Sequence, residues 1–199
     1  MRPIWCLGGA VWDRKLRLLA PAVVGSSNPV RESAHPGGVA RNVAHNLSLL
    51  GLPTQLLSAW GDDAAGKALR ADCERLGIGL DAARDFAGVA SGSYTAVLRP
   101  DGGLQLGLAQ LDALAALAPA ALQASAAARH DATIQLADMN LRADTLAAWL
   151  AEPRDGLAVL LAVSEPKMAA LPEDLARLDL LIANAGEWQA AGGNTEFAR

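Results

Sequence analysis

The sequence predicts an α/β fold in which a mostly parallel sheet is flanked by helices and carries a small additional β element. Three observations support this. Short apolar runs recur at residues 4–7, 54–60, 132–137, 157–163 and 178–183, each ending at Gly, Asp, Ser or Asn. Helical patterns lie between them: Val39, Val43, Leu47 and Leu50 follow the i, i+4, i+8, i+11 spacing of one helix face, and residues 64–76 and 143–150 read as helices too. Strand–helix alternation of this kind points to parallel pairing. Residues 91–98 and 104–108, joined by Arg99-Pro100-Asp101-Gly102-Gly103, read as a β-hairpin with a turn-forming centre.

Composition narrows the function classes. The chain has 199 residues, 52% hydrophobic and 19% charged, enough to bury a core. A net charge of −4 with scattered lysines and arginines argues against a nucleic-acid surface. No apolar run has the length of a membrane span, and Asp13, Arg14 and Lys15 cut the apolar start short. Cys6 and Cys73 lie far apart in apolar surroundings, as expected of two reduced, buried thiols. The expected location is the cytoplasm.

Taken in order, residues 4–7 form a buried first strand that ends at Gly8-Gly9, with Asp13 shortly after. Beside Arg14 and Lys15, that aspartate reads from the residues alone as a solvated loop charge. Residues 17–33 have weak strand character. Pro36-Gly37-Gly38 then opens the first helix, which Gly51 closes where a C′ glycine belongs. Paired glycines let a ligand approach the backbone closely, and the helix N-terminus offers unpaired N–H groups. Asn42, in the first turn, can reach whatever sits on the glycines; a tight turn capping a core helix would look the same.

Residues 54–60 form the second core strand, followed by a helix over 64–76 that Gly77 stops. Gly61-Asp62-Asp63-Ala64-Ala65-Gly66-Lys67 fits seven positions of a phosphate-binding P-loop, but Ala68 has no hydroxyl for Mg2+ and two aspartates would repel phosphate. The P-loop is rejected. Residues 112–129 are alanine-rich and helical, broken at Pro119. The strand at 132–137 ends at Asp138-Met139-Asn140, polar residues at the carboxyl end where ligands bind in open α/β sheets; a helix cap is the alternative. The last strand delivers Asn184-Ala185-Gly186-Glu187, whose two polar residues share one side of a first helical turn. A cap followed by a helix glutamate would also fit.

Pro36-Gly37-Gly38-Val39-Ala40-Arg41-Asn42, followed by Leu56-Leu57-Ser58-Ala59-Trp60-Gly61-Asp62-Asp63-Ala64-Ala65-Gly66, resembles the N-terminal signature of the ribokinase-like (PfkB-type) carbohydrate kinases, and within them the pseudouridine kinases. The resemblance implies a three-layer α/β/α sandwich with a small β lid, its strands near residues 14–35 and 91–108, and one partial domain over residues 1–199. It implies ATP-dependent phosphorylation of a primary hydroxyl on a ribosyl sugar or nucleoside, with Mg2+ as the ion. By this resemblance Asp13 accepts from two sugar hydroxyls and Gly37, Gly38 and Asn42 line the sugar pocket; the strand-end position of Asp138 and Asn140 places them near it. Asn184 and Glu187 would hold water-coordinated Mg2+ and the transferred phosphate.

Several positions depart from the family pattern. Gln110 stands where an acidic residue is usual, and Leu161-Ala162 precede Val163 in place of an acidic residue and a proline, which leaves Ser164 and Lys167 without an assigned role. The family's Gly-x-Gly-Asp turn, which carries the catalytic base and cradles phosphate, does not occur in these 199 residues. The resemblance spans about two-thirds of such a kinase. The expectation is therefore a chain that binds sugar but lacks the C-terminal part with the ATP site and the base. Its last strand would leave an apolar edge open. A sugar-binding remnant without catalysis, or an interaction subunit, is the alternative, and a homodimer through the lid or the open sheet edge is a possible assembly.

Overall fold

The computed structural model describes residues 2–194. Its strands are β1 (Ile4–Leu7), β2 (Val11–Leu18), β3 (Val30–Gly37), β4 (Thr54–Leu57), β5 (Ala59–Gly61), β6 (Arg84–Phe86), β7 (Ser93–Leu98), β8 (Leu104–Gln110), β9 (Ile134–Asp138), β10 (Leu157–Leu161) and β11 (Leu180–Ile182). The helices are α1 (Val39–Leu49), α2 (Ala64–Arg75), α3 (Asp112–Ala115), α4 (Pro119–Gln123), α5 (Ala126–Arg129), α6 (Ala143–Ala151) and α7 (Ala185–Ala190), with a 3-10 turn at Glu165–Ala170.

Five parallel strands in the order β11-β10-β9-β1-β4 make the central sheet. Parallel strands buried on both faces need apolar residues in continuous runs, and β1 supplies them. Trp5 and Leu7 pack on one side with Leu57, Leu146, Trp149 and Leu160. Cys6 faces the other side, with Ala40, Ala44, Leu56 and Leu69. Alanines at positions 40 and 44 let α1 sit close to the sheet. Both cysteines are free and buried, as expected, and burial pushes the Cys6 thiol up to about 12 and the Cys73 thiol to about 11.

A second, mixed sheet of order β3-β2-β7-β8 forms from the segments expected to make the lid. β2 pairs antiparallel with β3 over eight residues, despite the weak strand character of residues 17–33, and β7 and β8 form the expected hairpin. The partner strand, rather than local propensity, decides β3: its residues 30–35 are exposed, so no buried face shapes its composition.

Two expectations need correction. Residues 54–60 are not one strand. Ser58 donates its hydroxyl to Gly8 O at 2.6 Å, and the chain leaves the central sheet there so that β5 pairs with β6. The alanine-rich stretch breaks twice rather than once: Pro119 starts α4, and the chain breaks again before α5. That second break serves Arg129, which is fully buried and donates to Ser125 Oγ, Gln135 Oε1, Leu122 O and Glu152. A buried guanidinium persists only with such partners. At the sheet edge, Leu180 and Ile182 of β11 are half exposed.

Candidate functional site

Between the mixed sheet and the carboxyl ends of β9 and β10 lies a cavity of about 370 Å³. The start of α1 contributes Gly38, Val39 and Asn42 to it. Val11 and Asp13 come from β2, with Tyr94 and Ala109 from the hairpin. Asn140 enters from the turn after β9, and Val163, Ser164 and Lys167 from the chain after β10. Asp13, Gly38, Asn42 and Asn140, singled out from sequence, thus meet around one space. Gly37 stands against Asp13: a Cβ added there would overlap the carboxylate.

The glycine turn is held tightly from behind. Gly38 precedes α1 with φ 97° and ψ 141°, a conformation close to glycine's own territory. A Cβ on it would lie 2.6 Å from Gly9 C and 2.8 Å from Ala10 Cα. Two amides in the first turn of α1 are not free, which limits the expectation of unpaired N–H groups. Ala40 N donates to Asp138 Oδ2 at 2.8 Å, and Arg41 N to Gly9 O at 3.1 Å.

Asp138 is fully buried and does not line the cavity. Its carboxylate also accepts from Gly9 N and Asn140 N, each at 2.9 Å. Burial raises its pKa above the ordinary aspartate value, opposed by the hydrogen bonds from Gly9, Asn140 and Ala40. Asp13 is half-buried, and its pKa is also raised by burial, against the nearby charges of His35, Lys15 and Arg41. The Lys167 ammonium donates to Asn140 Oδ1; burial lowers its pKa while the charge of Asp138 works the other way. A lysine only donates, so the bond fixes which end of the Asn140 amide faces it and leaves Nδ2 on the other side. Asn42 Oδ1 accepts from Arg41 Nη1 at 3.1 Å, which orients its amide in the same way.

Ser164 and Lys167 are the site residues that sequence reasoning left unassigned. The signal was present in their position just after a parallel strand, but the unusual Leu161-Ala162 ahead of them obscured it. Asn184 and Glu187 lie outside the cavity lining. They form a reciprocal capping box: Glu187 N donates to Asn184 Oδ1 and Asn184 N to Glu187 Oε2, both at 2.9 Å. Gly186 between them packs against Glu165, the neighbour of cavity-lining Ser164. No group of three or more His, Cys, Asp or Glu suited to a metal occurs among the described residues. In the rejected P-loop segment, Asp63 caps α2 through Gly66 N at 2.8 Å and accepts from the Ser91 hydroxyl at 2.6 Å, so its carboxylate is already engaged.

Comparisons with known proteins agree with this architecture. The profile of the pfkB family carbohydrate kinases matches residues 4–196. The uncharacterized sugar kinase YeiI of Escherichia coli is 33% identical over 157 residues, 78% of this chain and 43% of that protein. The pseudouridine kinase of Escherichia coli is 29% identical over 168 residues, 84% of this chain and 53% of that protein. A carbohydrate kinase structure from Agrobacterium tumefaciens superposes with a TM-score of 0.83 at 31% identity, covering 96% of this chain and 63% of that one. The chain therefore spans about half the length of the curated relatives it matches. With its ribokinase-like parallel sheet, its outer β-sheet and a match over nearly its whole length, the chain belongs to the pfkB family of carbohydrate kinases.

Proposed function

We propose that this chain carries the acceptor-binding half of a kinase that transfers phosphate from ATP to a primary hydroxyl of a ribosyl sugar or nucleoside, with pseudouridine the leading acceptor. The observation that carries this reading is that the Asp13 carboxylate stands against Gly37 and lines one cavity with Gly38. A carboxylate accepts from both hydroxyls of a vicinal diol with charge-assisted strength. Gly38 holds the turn close against Gly9 at the cavity wall, while the oriented amide of Asn42 presents N–H donors to ligand oxygens. The mixed sheet, through Tyr94 and Ala109, keeps water from competing for the phosphoryl group. The similarity to a pseudouridine kinase supports the nucleoside assignment.

ATP, when bound, supplies the phosphoryl group, and Mg2+ neutralises charge developing on it. Glu187 would meet such an ion through its water shell at Oε1, which the capping box leaves outside its two hydrogen bonds, whereas Asn184 Oδ1 already accepts from Glu187 N. The Gly-x-Gly-Asp turn does not occur in these residues, and the ATP site and the base are assigned to none of them. Exposed Leu104, Leu106 and Leu108 on β8, and Leu180 and Ile182 on β11, support assembly as a homodimer through the outer sheet or the open edge. No helix among the described residues is long and apolar enough to cross a membrane. The closed capping box favours a second reading, a sugar-binding or interaction subunit without transfer activity.

Thermal melting with pseudouridine, ribose and ATP added separately tests the reading. Either sugar is expected to raise the melting temperature of the chain but not of its Asp13→Ala variant, and ATP alone to leave it unchanged. No shift with either sugar, or an equal shift in the variant, refutes it.

A further inference from the structure

Asp138 is fully buried, and both of its carboxylate oxygens are bound to main chain. The amides it accepts from belong to three separate segments: Gly9 in the turn after β1, Ala40 in the first turn of α1, and Asn140 in the turn after β9. Each segment leads directly to the cavity. Gly9 runs on through Ala10 to Val11 and Asp13, Ala40 lies between Gly38 and Asn42, and Asn140 lines the cavity itself. The surroundings admit this side chain closely: a Cβ on Gly8 would overlap the Asp138 carboxylate, and one on Gly9 would lie 2.9 Å from Asn140 Nδ2. Helix α1 could be joined to the sheet by apolar packing alone, which removes the desolvation cost of a buried charge. A carboxylate at this point adds what apolar packing lacks, fixed directions for three amides at once.

We propose that Asp138 is the positioning residue of the pocket: without touching the ligand, it holds Asp13, the Gly38–Asn42 turn and Asn140 at the spacing a sugar requires. This deepens the sugar-site reading above and rests on it. Asp138→Asn keeps volume and shape but replaces one acceptor oxygen with an NH2 group that faces backbone donors. Its consequence is therefore local misplacement of the pocket rather than a cavity in the core.

The test combines amide hydrogen exchange by NMR with calorimetric titration of pseudouridine, on the wild-type chain, Asp138→Asn and Asp13→Ala. Asp138→Asn is expected to accelerate exchange at Gly9, Ala40 and Asn140 while amides in α2 and β10 keep their rates, and to weaken pseudouridine binding roughly ten- to a hundredfold. Unchanged exchange at those three amides, uniformly faster exchange throughout, or unchanged affinity overturns the proposal. If the wild type takes no sugar, the reading of the cavity fails by itself, and the exchange pattern still decides the role of Asp138. If the variant does not fold, wild-type exchange decides: the three amides opening together, below the global unfolding free energy, supports the proposal, and independent opening overturns it.

Discussion

Replacing Gly38 with alanine perturbs the point where α1 meets the end of β1. The added Cβ would overlap Gly9 O and sit 2.6 Å from Gly9 C and 2.8 Å from Ala10 Cα. All three are main-chain atoms, so no side chain can rotate away and the two segments must separate. Separation also lengthens the bond from Arg41 N to Gly9 O, now 3.1 Å. Holding alanine at φ 97° adds about 1–3 kcal/mol of backbone strain. Forcing a methyl group into a filled space adds about another 1–3 kcal/mol. The sum, about 2–6 kcal/mol, is a large share of a typical stability of about 5–15 kcal/mol. For a chain of this size it corresponds to a fall in melting temperature of roughly 5–20 °C.

Gly88→Ala is the matched control: Gly88 also has positive φ, 71°, but nothing lies within 4 Å of its added Cβ. The assay is urea unfolding followed by tryptophan fluorescence, with Trp5, Trp60 and Trp149 all buried as reporters. Gly38→Ala is expected to lose clearly more stability than Gly88→Ala, by the overlap contribution. Equal unfolding midpoints would refute the close approach of α1 to the β1 turn.

Two further outcomes follow from the site. Because burial raises the Asp13 pKa, sugar binding should weaken on acidification with a midpoint above the ordinary aspartate value, and Asp13→Asn should flatten the profile. Without ligand the sign reverses: the Asp13 contribution to stability is fully present below its unfolded pKa and is lost as pH rises through the folded one, so binding and stability measured across the same pH range should move in opposite directions. At the capping box, Asn184→Ala should cost about 1 kcal/mol, while Asn184→Ser keeps an acceptor for Glu187 N and restores most of it. If Asn184 also serves Mg2+, the serine variant should lose any Mg2+-dependent rise in melting temperature; an undiminished rise would exclude that role.

Much of the fold was legible because its signals are local. Apolar runs ending at Gly8, Asp138 and Asn184, and the helical spacing of Val39, Val43 and Leu47, mark parallel strands and the helices between them. The errors fell where a distant partner outweighs local pattern. Ser58 continues an apolar run and looks like mid-strand, yet its hydroxyl bonds to Gly8 O, fifty residues away in sequence, and turns the chain out of the sheet. β3 is built from exposed residues and exists because β2 pairs with it. Nothing in the alanine-rich stretch over 112–129 marks Arg129, yet tertiary partners bury it completely.

The same division runs through the site. By itself, the sequence determined the fold class and the glycine pair at the head of α1 as a local feature, because apolar periodicity and glycine are written in residue type and spacing; Asp13 was singled out only through the family resemblance. Only the tertiary structure decided what Asp138 binds, which end of the Asn140 amide Lys167 holds, and that the amides of Ala40 and Arg41 are already taken. Those choices depend on angles and distances among β1, α1, β9 and the chain after β10, and a hydrogen bond is made or lost over fractions of an ångström that no linear spacing encodes.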